Sequence, residues 1–206
     1  MLAIKYGASA LGLVSEMPSG PGVIDEDLIA EIVSRIPPPI ATFLLTSKQT
    51  AEEIIIQQLR TKVNTLQLVD HVDYNELKEL KRKLRGIKLV QVIHVTDENS
   101  IKEALDVEKY VDALLLDSGN PNLKTKELGG TGRTHNWSIS KKINELVRIP
   151  IFLAGGLNPE NVLGAIKVVQ PYGLDICNGL RIKNKLNEDK LKLFFENVNK
   201  FNLDFA

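Results

Sequence analysis

A single cysteine stands among 206 residues, so no disulfide can form within the chain. A reducing cytoplasm is the expected setting. The three histidines show no paired spacing, and no metal-ligand pattern is visible. Neither sign of charge is in excess: Lys+Arg and Asp+Glu are both 26, for a net charge of +0. A nucleic-acid binder would carry a basic excess, so no nucleic-acid partner is expected. Long hydrophobic runs are missing too. Runs such as Ile151–Ala154 are far below the roughly 20 residues that span a bilayer, which argues against a membrane partner. No apolar segment follows a basic one near Met1, so no secretory leader is expected. There is no low-complexity tract and no interdomain linker, and the expectation is one domain over residues 1–206.

What is present is an alternation. Apolar runs of strand length occur near Ala10–Val14, Ala41–Leu45, Thr65–Leu68, Lys88–Ile93, Ala113–Leu116, Ile151–Leu153 and Gly173–Ile176. Helical patterns lie between them, near Asp25–Ser34, Thr50–Leu59, Tyr74–Lys83, Ser100–Glu108, Ser138–Leu146 and Glu160–Val168, with a last one at Glu188–Lys200. The strands are apolar throughout rather than alternating, as in a parallel sheet covered on both faces. The spacing predicts an α/β fold of successive βα units. Asp25 is placed to cap a helix, Gly86 to end one, and Pro159 to occupy a first helical turn. The segment Ser118–Arg133 is long for a βα connection, which points to function.

Three glycine-bearing turns follow strands in the second half: Gly129-Gly130-Thr131-Gly132, Gly155-Gly156 and Asn178-Gly179. Glycine lets backbone N–H groups approach a ligand closely, and a following helix N-terminus favours an anion. Gly155, Gly156, Asn178 and Gly179 therefore form a candidate phosphate cup. Gly130 and Gly132 either serve the same ligand or shape their loop. Asp117 ends an apolar strand, where a buried carboxylate is costly unless it works or is paired. It is the candidate catalytic acid, a helix-capping or loop-ordering role being the alternative. Asp175 and Cys177 lie two apart and are expected on one side of the last strand. Asp175 is a candidate contact for sugar hydroxyls or an amine, and Cys177 a small core or rim residue rather than a reactive thiol. His94 and His71 read as loop or core histidines, although His94 follows a strand and could face the pocket. Trp137 reads as a packing anchor.

The runs Gly129-Gly130-Thr131-Gly132-Arg133-Thr134-His135-Asn136-Trp137, Ala154-Gly155-Gly156-Leu157-Asn158-Pro159-Glu160-Asn161-Val162 and Gly173-Leu174-Asp175-Ile176-Cys177-Asn178-Gly179, with Asp117, resemble the phosphoribosylanthranilate isomerase family across residues 3–200. The resemblance implies a TIM (β/α)8 barrel with its site at the C-terminal face. It also implies an Amadori-type isomerisation of a phosphoribosylated amine in tryptophan biosynthesis, with no cofactor and no metal. The partner implied is a small sugar-phosphate substrate. In that family a cysteine on the first strand is the general base and an aspartate ending the sixth strand the general acid. Asp117 matches the acid.

Four departures accompany the match. Only seven βα units are found, so the barrel's first strand, which carries the base, would have to precede Met1. The loop where the family has an arginine for the anthranilate carboxylate reads Ser19-Gly20-Pro21-Gly22. The family's Gln-Leu-His-Gly is replaced by Gln67-Leu68-Val69-Asp70-His71, and Arg181 stands where a glutamate is usual. Two other functions stay open at this level: an isomerase for a different sugar phosphate, and a phosphometabolite-binding protein without turnover. With seven strands, Ala10–Val14 and Gly173–Ile176 are expected to flank a gap, an open edge at which a second copy could pair to give a homo-oligomer.

Overall fold

The computed structural model describes every residue except Ser19, Pro21, Lys124, Phe205 and Ala206, and no side chain from residue 202 onward. Seven strands form one sheet: β1 (Ala10–Val14), β2 (Ala41–Thr46), β3 (Thr65–Leu68), β4 (Lys88–His94), β5 (Ala113–Asp117), β6 (Ile151–Leu153) and β7 (Gly173–Leu174). All pairs are parallel, and the order in the sheet is the order in the chain. Helices α2 (Glu26–Ser34), α3 (Ala51–Thr61), α4 (Tyr74–Lys83), α5 (Asn99–Val107), α6 (Trp137–Leu146) and α7 (Val162–Val169) return the chain between strands. Helix α1 (Leu2–Tyr6) precedes the sheet and α8 (Glu188–Asp204) follows a small hairpin of β8 (Arg181–Ile182) and β9 (Lys185–Leu186). No described helix is long and apolar enough to cross a membrane.

Local chemistry sets the helix starts. Asp25 accepts the Leu28 N–H at 2.8 Å, so it caps α2 rather than opening it. Thr50 and Glu53 cap α3 together: the Thr50 hydroxyl accepts from the Glu53 amide at 3.4 Å and donates to its carboxylate at 2.7 Å. Asn136 accepts the Ser138 N–H and starts α6.

The uniformly apolar strands divide their residues between two cores. Leu66, Leu68, Leu89, Ile93, Leu114, Leu116, Ile151 and Leu153 pack outward against the helices. Val69, Val90, Val92, Ala113, Leu115 and Ala154 pack inward, with Phe43, Leu45 and Phe152 against them. Phe43 of β2 and Phe152 of β6 meet edge to face with ring centroids 6.0 Å apart. On a flat sheet those strands would be about 19 Å apart, so the sheet is strongly curled around its inner core.

Among the described strands β1 pairs only with β2, and β7 only with β6, while Val14 of β1 also bridges Val23 in parallel. Residues 2–6 do not enter the sheet as a strand. They form α1, which lies on α8: Tyr6 donates to Glu188 at 2.8 Å, and Leu2 and Tyr6 pack with Phe194 and Phe195.

Three expectations are corrected. The last sheet strand ends at Leu174, not Ile176, because Cys177 (φ −129°, ψ −77°) turns the chain into a single 3₁₀ turn at Asn178–Leu180. Pro159 is in a turn, and α7 starts only at Val162. The Asn158 side chain takes the Glu160 and Asn161 amides and delays the helix. Gly86 has a left-handed φ of 91° but lies two residues beyond Leu84, which ends α4. Of the loop Ser19-Gly20-Pro21-Gly22, Ser19 and Pro21 fall outside the described residues.

Candidate active site

Ladder registers bring the acidic strand ends to one level. Leu116 pairs with Leu153, and Leu153 with Leu174. The next residues continue the ladder: the Ala154 amide donates to Leu116 O at 2.8 Å and the Asp175 amide to Leu153 O at 2.9 Å. Asp117, Ala154 and Asp175 therefore form one row across the top of the sheet. Leu116 and Leu174 pack outward, so alternation turns Asp117 and Asp175 to the inner face. Two strand spacings put their Cα atoms about 10 Å apart. His94 is the register partner of Asp117 on the other side.

Asp117 is 6% exposed. Burial holds its carboxyl above the usual range, against the Ser118 amide, the His94 ring and the Gly119 amide, which stabilise the charged form. Asp175 is pushed up to about 6, first by burial and then by the charge of Asp117, against one amide bond from Ile176. The two carboxyls therefore titrate as a pair. His94 places Nε2 2.9 Å from Val69 O. A carbonyl only accepts, so Nε2 donates a proton to it, and Nδ1 is buried without a partner. Nδ1 faces the loop after β5, where a Cβ on Gly119 would come within 2.4 Å of it.

That loop folds over the site. Gly129 passes above Asp117, since a Cβ there would lie 3.1 Å from Oδ2. Asn120 and Glu127 exchange backbone hydrogen bonds at 2.9 and 3.0 Å. Ser118 Oγ and Thr131 Oγ1 are 2.8 Å apart, and Thr131 also accepts the Arg133 amide. Lys126 pairs with the buried Asp70 at the end of β3, and Arg133 with Glu127. Asn178 donates its side-chain amide to Gly130 O, joining the loops after β5 and β7.

The glycines predicted to bind phosphate are therefore gathered in one place, though under a cover. A Cβ on Gly156 would meet the Arg133 and Thr134 backbone at 2.4–2.6 Å, and one on Gly155 would meet Ser118 and His135 at 2.9–3.0 Å. The amides of Gly155 and Gly156 make no hydrogen bond within the described residues. Gly179 presses on the turn after β6: its Cβ would stand 1.9 Å from Leu157 O. Gly132 has open space around it, and Gly130 contributes its carbonyl to Asn178.

Other candidates separate. Cys177 is exposed and outside β7, so it does not share a strand face with Asp175 as expected. His71 is exposed and lies 3.8 Å from Asp73. Trp137 opens α6 and packs on the outer core. Among the described residues no group of His, Cys, Asp or Glu could hold a metal ion. A concavity of about 330 Å³ beside the start of α6, lined by Thr134–Ser138 and Val168, lies outside the carboxylate row.

Sequence reasoning missed several residues around the site. Gly119, His135 and the Asp70–Lys126 pair carry no local pattern. His135 bonds the buried Ser140 at 2.6 Å, and burial pushes its ring down to about 4.

The family model described as N-(5'-phosphoribosyl)anthranilate isomerase matches residues 11–197. N-(5'-phosphoribosyl)anthranilate isomerase 2 of Methanosarcina mazei is 36% identical over 190 residues, covering 92% of this chain and 83% of that one. The isomerase of Methanocella arvoryzae is 32% identical over 193 residues, covering 93% and 88%. The crystal structure of the phosphoribosylanthranilate isomerase of Thermotoga maritima superposes with a TM-score of 0.82 at 26% identity, covering 97% and 92%. A phosphoribosylanthranilate isomerase solved with reduced 1-(o-carboxyphenylamino)-1-deoxyribulose 5-phosphate shares the fold, with a TM-score of 0.79 at 24% identity and coverage of 97% and 91%.

Proposed function

The chain belongs to the N-(5'-phosphoribosyl)anthranilate isomerase family, and from that membership we propose how its site works. The activity is the isomerisation of phosphoribosylanthranilate in tryptophan biosynthesis, an internal oxidation and reduction of the sugar. The other two readings, a different sugar phosphate or binding without turnover, are not favoured by the family match.

The residues 1–206 form one domain of the (β/α)8 barrel type, contributing seven of its strands. The free edges of β1 and β7 are where a further strand or a second copy pairs to complete it. The fold likeness to barrel isomerases over nearly the whole chain supports this reading.

Asp117 is the general acid. It ends a strand at the C-terminal face, where barrel enzymes carry their chemistry, and burial favours its protonated form. It gives its proton to the ribose ring oxygen as the anthranilate nitrogen pushes open the C1–O bond. Gly155, Gly156, Asn178 and Gly179 hold the 5'-phosphate through backbone amides, with Gly130 and Gly132 closing the loop above. The observation that carries the reading is the row of Asp117 and Asp175 beside the unbonded amides of Gly155 and Gly156.

The test is loss of phosphoribosylanthranilate fluorescence on adding the protein. Turnover that follows enzyme concentration supports the reading, and none at any concentration overturns it. A phosphate soak should place the anion against Gly155 and Gly156. Density elsewhere and not there would remove the phosphate assignment.

A further inference from the structure

We propose that Lys126 is a positioning residue for the isomerisation: by pairing with Asp70 it fastens the loop after β5 across the mouth of the sheet and so sets Gly119 and Gly129 against Asp117. The inference rests on the isomerase reading above and deepens it.

The loop needs an anchor. It carries Gly119, Gly129, Gly130 and Gly132, and the last three take left-handed φ values of 135°, 66° and 70°. A backbone so rich in glycine has no strong local preference for one course. Two of its polar ties are internal and do not fix where it sits: Ser118 with Thr131, and Arg133 with Glu127. Two others reach out. Asn178 donates to Gly130 O on the β7 side. Lys126 Nζ donates to Asp70 Oδ2 at 2.5 Å on the β3 side.

The anchor point is itself held. The Asp70 side chain is only 8% exposed, and its Oδ1 accepts the His71 amide at 2.9 Å. Gln91 of β4 donates to Asp70 O at 2.9 Å and to Leu68 O at 3.1 Å. The Val69 amide donates to Thr46 O of β2 at 3.0 Å. A buried carboxylate calls for a cation, and Lys126 brings one from 56 residues along the chain. Desolvation offsets much of the attraction in such a pair, so its use here is to select one arrangement of the loop.

Four consecutive residues carry that selection to the acid. Lys126 sits on Asp70. Glu127 exchanges backbone hydrogen bonds with Asn120 at 2.9 and 3.0 Å, and its carbonyl stands 2.4 Å from where a Cβ on Gly119 would be. Leu128 is buried in the same inner core as Val69, the neighbour of Asp70. Gly129 passes over Asp117, where its Cβ would lie 3.1 Å from Oδ2. Releasing Lys126 loosens the segment that faces the acid, and a misplacement of about 1 Å at a reacting group costs about 10²-fold in rate.

The experiment compares the wild-type chain with Lys126→Met, Lys126→Arg, Asp70→Asn and the double variant. The substrate is phosphoribosylanthranilate, and the binding probe is inorganic phosphate. Lys126→Met is expected to lower kcat by about 10–100-fold, with phosphate affinity within about threefold. Lys126→Arg keeps the cation and recovers most of kcat. The double variant falls no further than the slower single variant, because the two side chains act as one unit. Hydrogen exchange in Lys126→Met speeds up in residues 118–133 and not in the strands. A Lys126→Met chain with kcat within about threefold of wild type overturns the proposal. So do losses that add in the double variant, or a Lys126→Arg as slow as Lys126→Met. Faster exchange throughout the sheet also overturns it, since the pair would then be holding the fold and not the loop. Should Asp70→Asn not fold, the two Lys126 variants, which alter only the loop, decide alone. A wild type that turns over no phosphoribosylanthranilate overturns the isomerase reading itself. The anchor is then judged separately by exchange, and unchanged protection of residues 118–133 in Lys126→Met removes it.

Discussion

A Cβ on Gly119 would stand 2.4 Å from Nδ1 of His94 and equally close to Glu127 O. The Gly119 amide meanwhile stabilises the Asp117 carboxylate. One residue thus has its N–H on the acid and its Cα on the neighbouring histidine. Gly119→Ala must lift the loop away from Asp117. The expected outcome is a fall in kcat of about tenfold or more, with about 1–3 kcal/mol lost in urea unfolding from overpacking. Unchanged kcat would show that the loop's contact with Asp117 is dispensable.

Asp117→Asn keeps the shape of the side chain and removes its ability to give a proton. Turnover is expected to drop by about 10²–10⁴-fold while affinity for inorganic phosphate changes little. Steady-state kinetics beside a phosphate titration separate the two effects. A variant with full kcat would exclude Asp117 as the acid.

Gly179→Ala tests the contact between the turns after β6 and β7. An added Cβ would lie 1.9 Å from Leu157 O, a backbone atom that cannot rotate aside. Destabilisation of about 1–3 kcal/mol is expected, with weaker phosphate binding because the turns move apart. Calorimetry and a phosphate titration read both.

His135 gives a pH signature. Its folded-state pKa is pushed down to about 4, below the ordinary value of 6.5. Between those values the unfolded chain binds a proton that the folded chain does not. Stability is therefore expected to fall as pH drops from about 6.5 to about 4, by at most about 3 kcal/mol. Asp175 works the other way. Its raised pKa favours the folded state at low pH and withdraws that support as pH rises toward 6. His135→Phe should flatten the acid-side loss in urea midpoints, and an unchanged slope would assign the loss to other groups.

The strands were legible because runs such as Leu114-Leu115-Leu116 are apolar on both faces, and a two-sided sheet demands that. The cap at Asp25 was legible because capping is local. Pro159 misled because the Asn158 side chain intercepts the amides that proline would leave for a helix. The end of β7 misled because Ile176 has the composition of a strand residue, whereas the turn at Cys177 accompanies the packing of Gly179 against Leu157, a contact between distant segments. Asp117 and the glycine turns were visible from their places after strands. Gly119, His135 and Lys126 were not, since each meets a neighbour distant in sequence: His94, Gly155 and Asp70. The resemblance to a family located the acid, and only the register between β5, β6 and β7 brought Asp175 level with it.

The strand order of the sheet bears on how the chain is made. Because sheet order and chain order coincide, each strand leaving the ribosome finds its partner already synthesised and held by the helix just before it. Assembly can run from the N-terminal end without waiting for distant segments, so loop closures stay short. The carboxylate row is the exception, since Asp175 arrives last. The nascent protein thus acquires most of its sheet early, and its last sheet strand and its complete set of strand-end acids only near the end of translation.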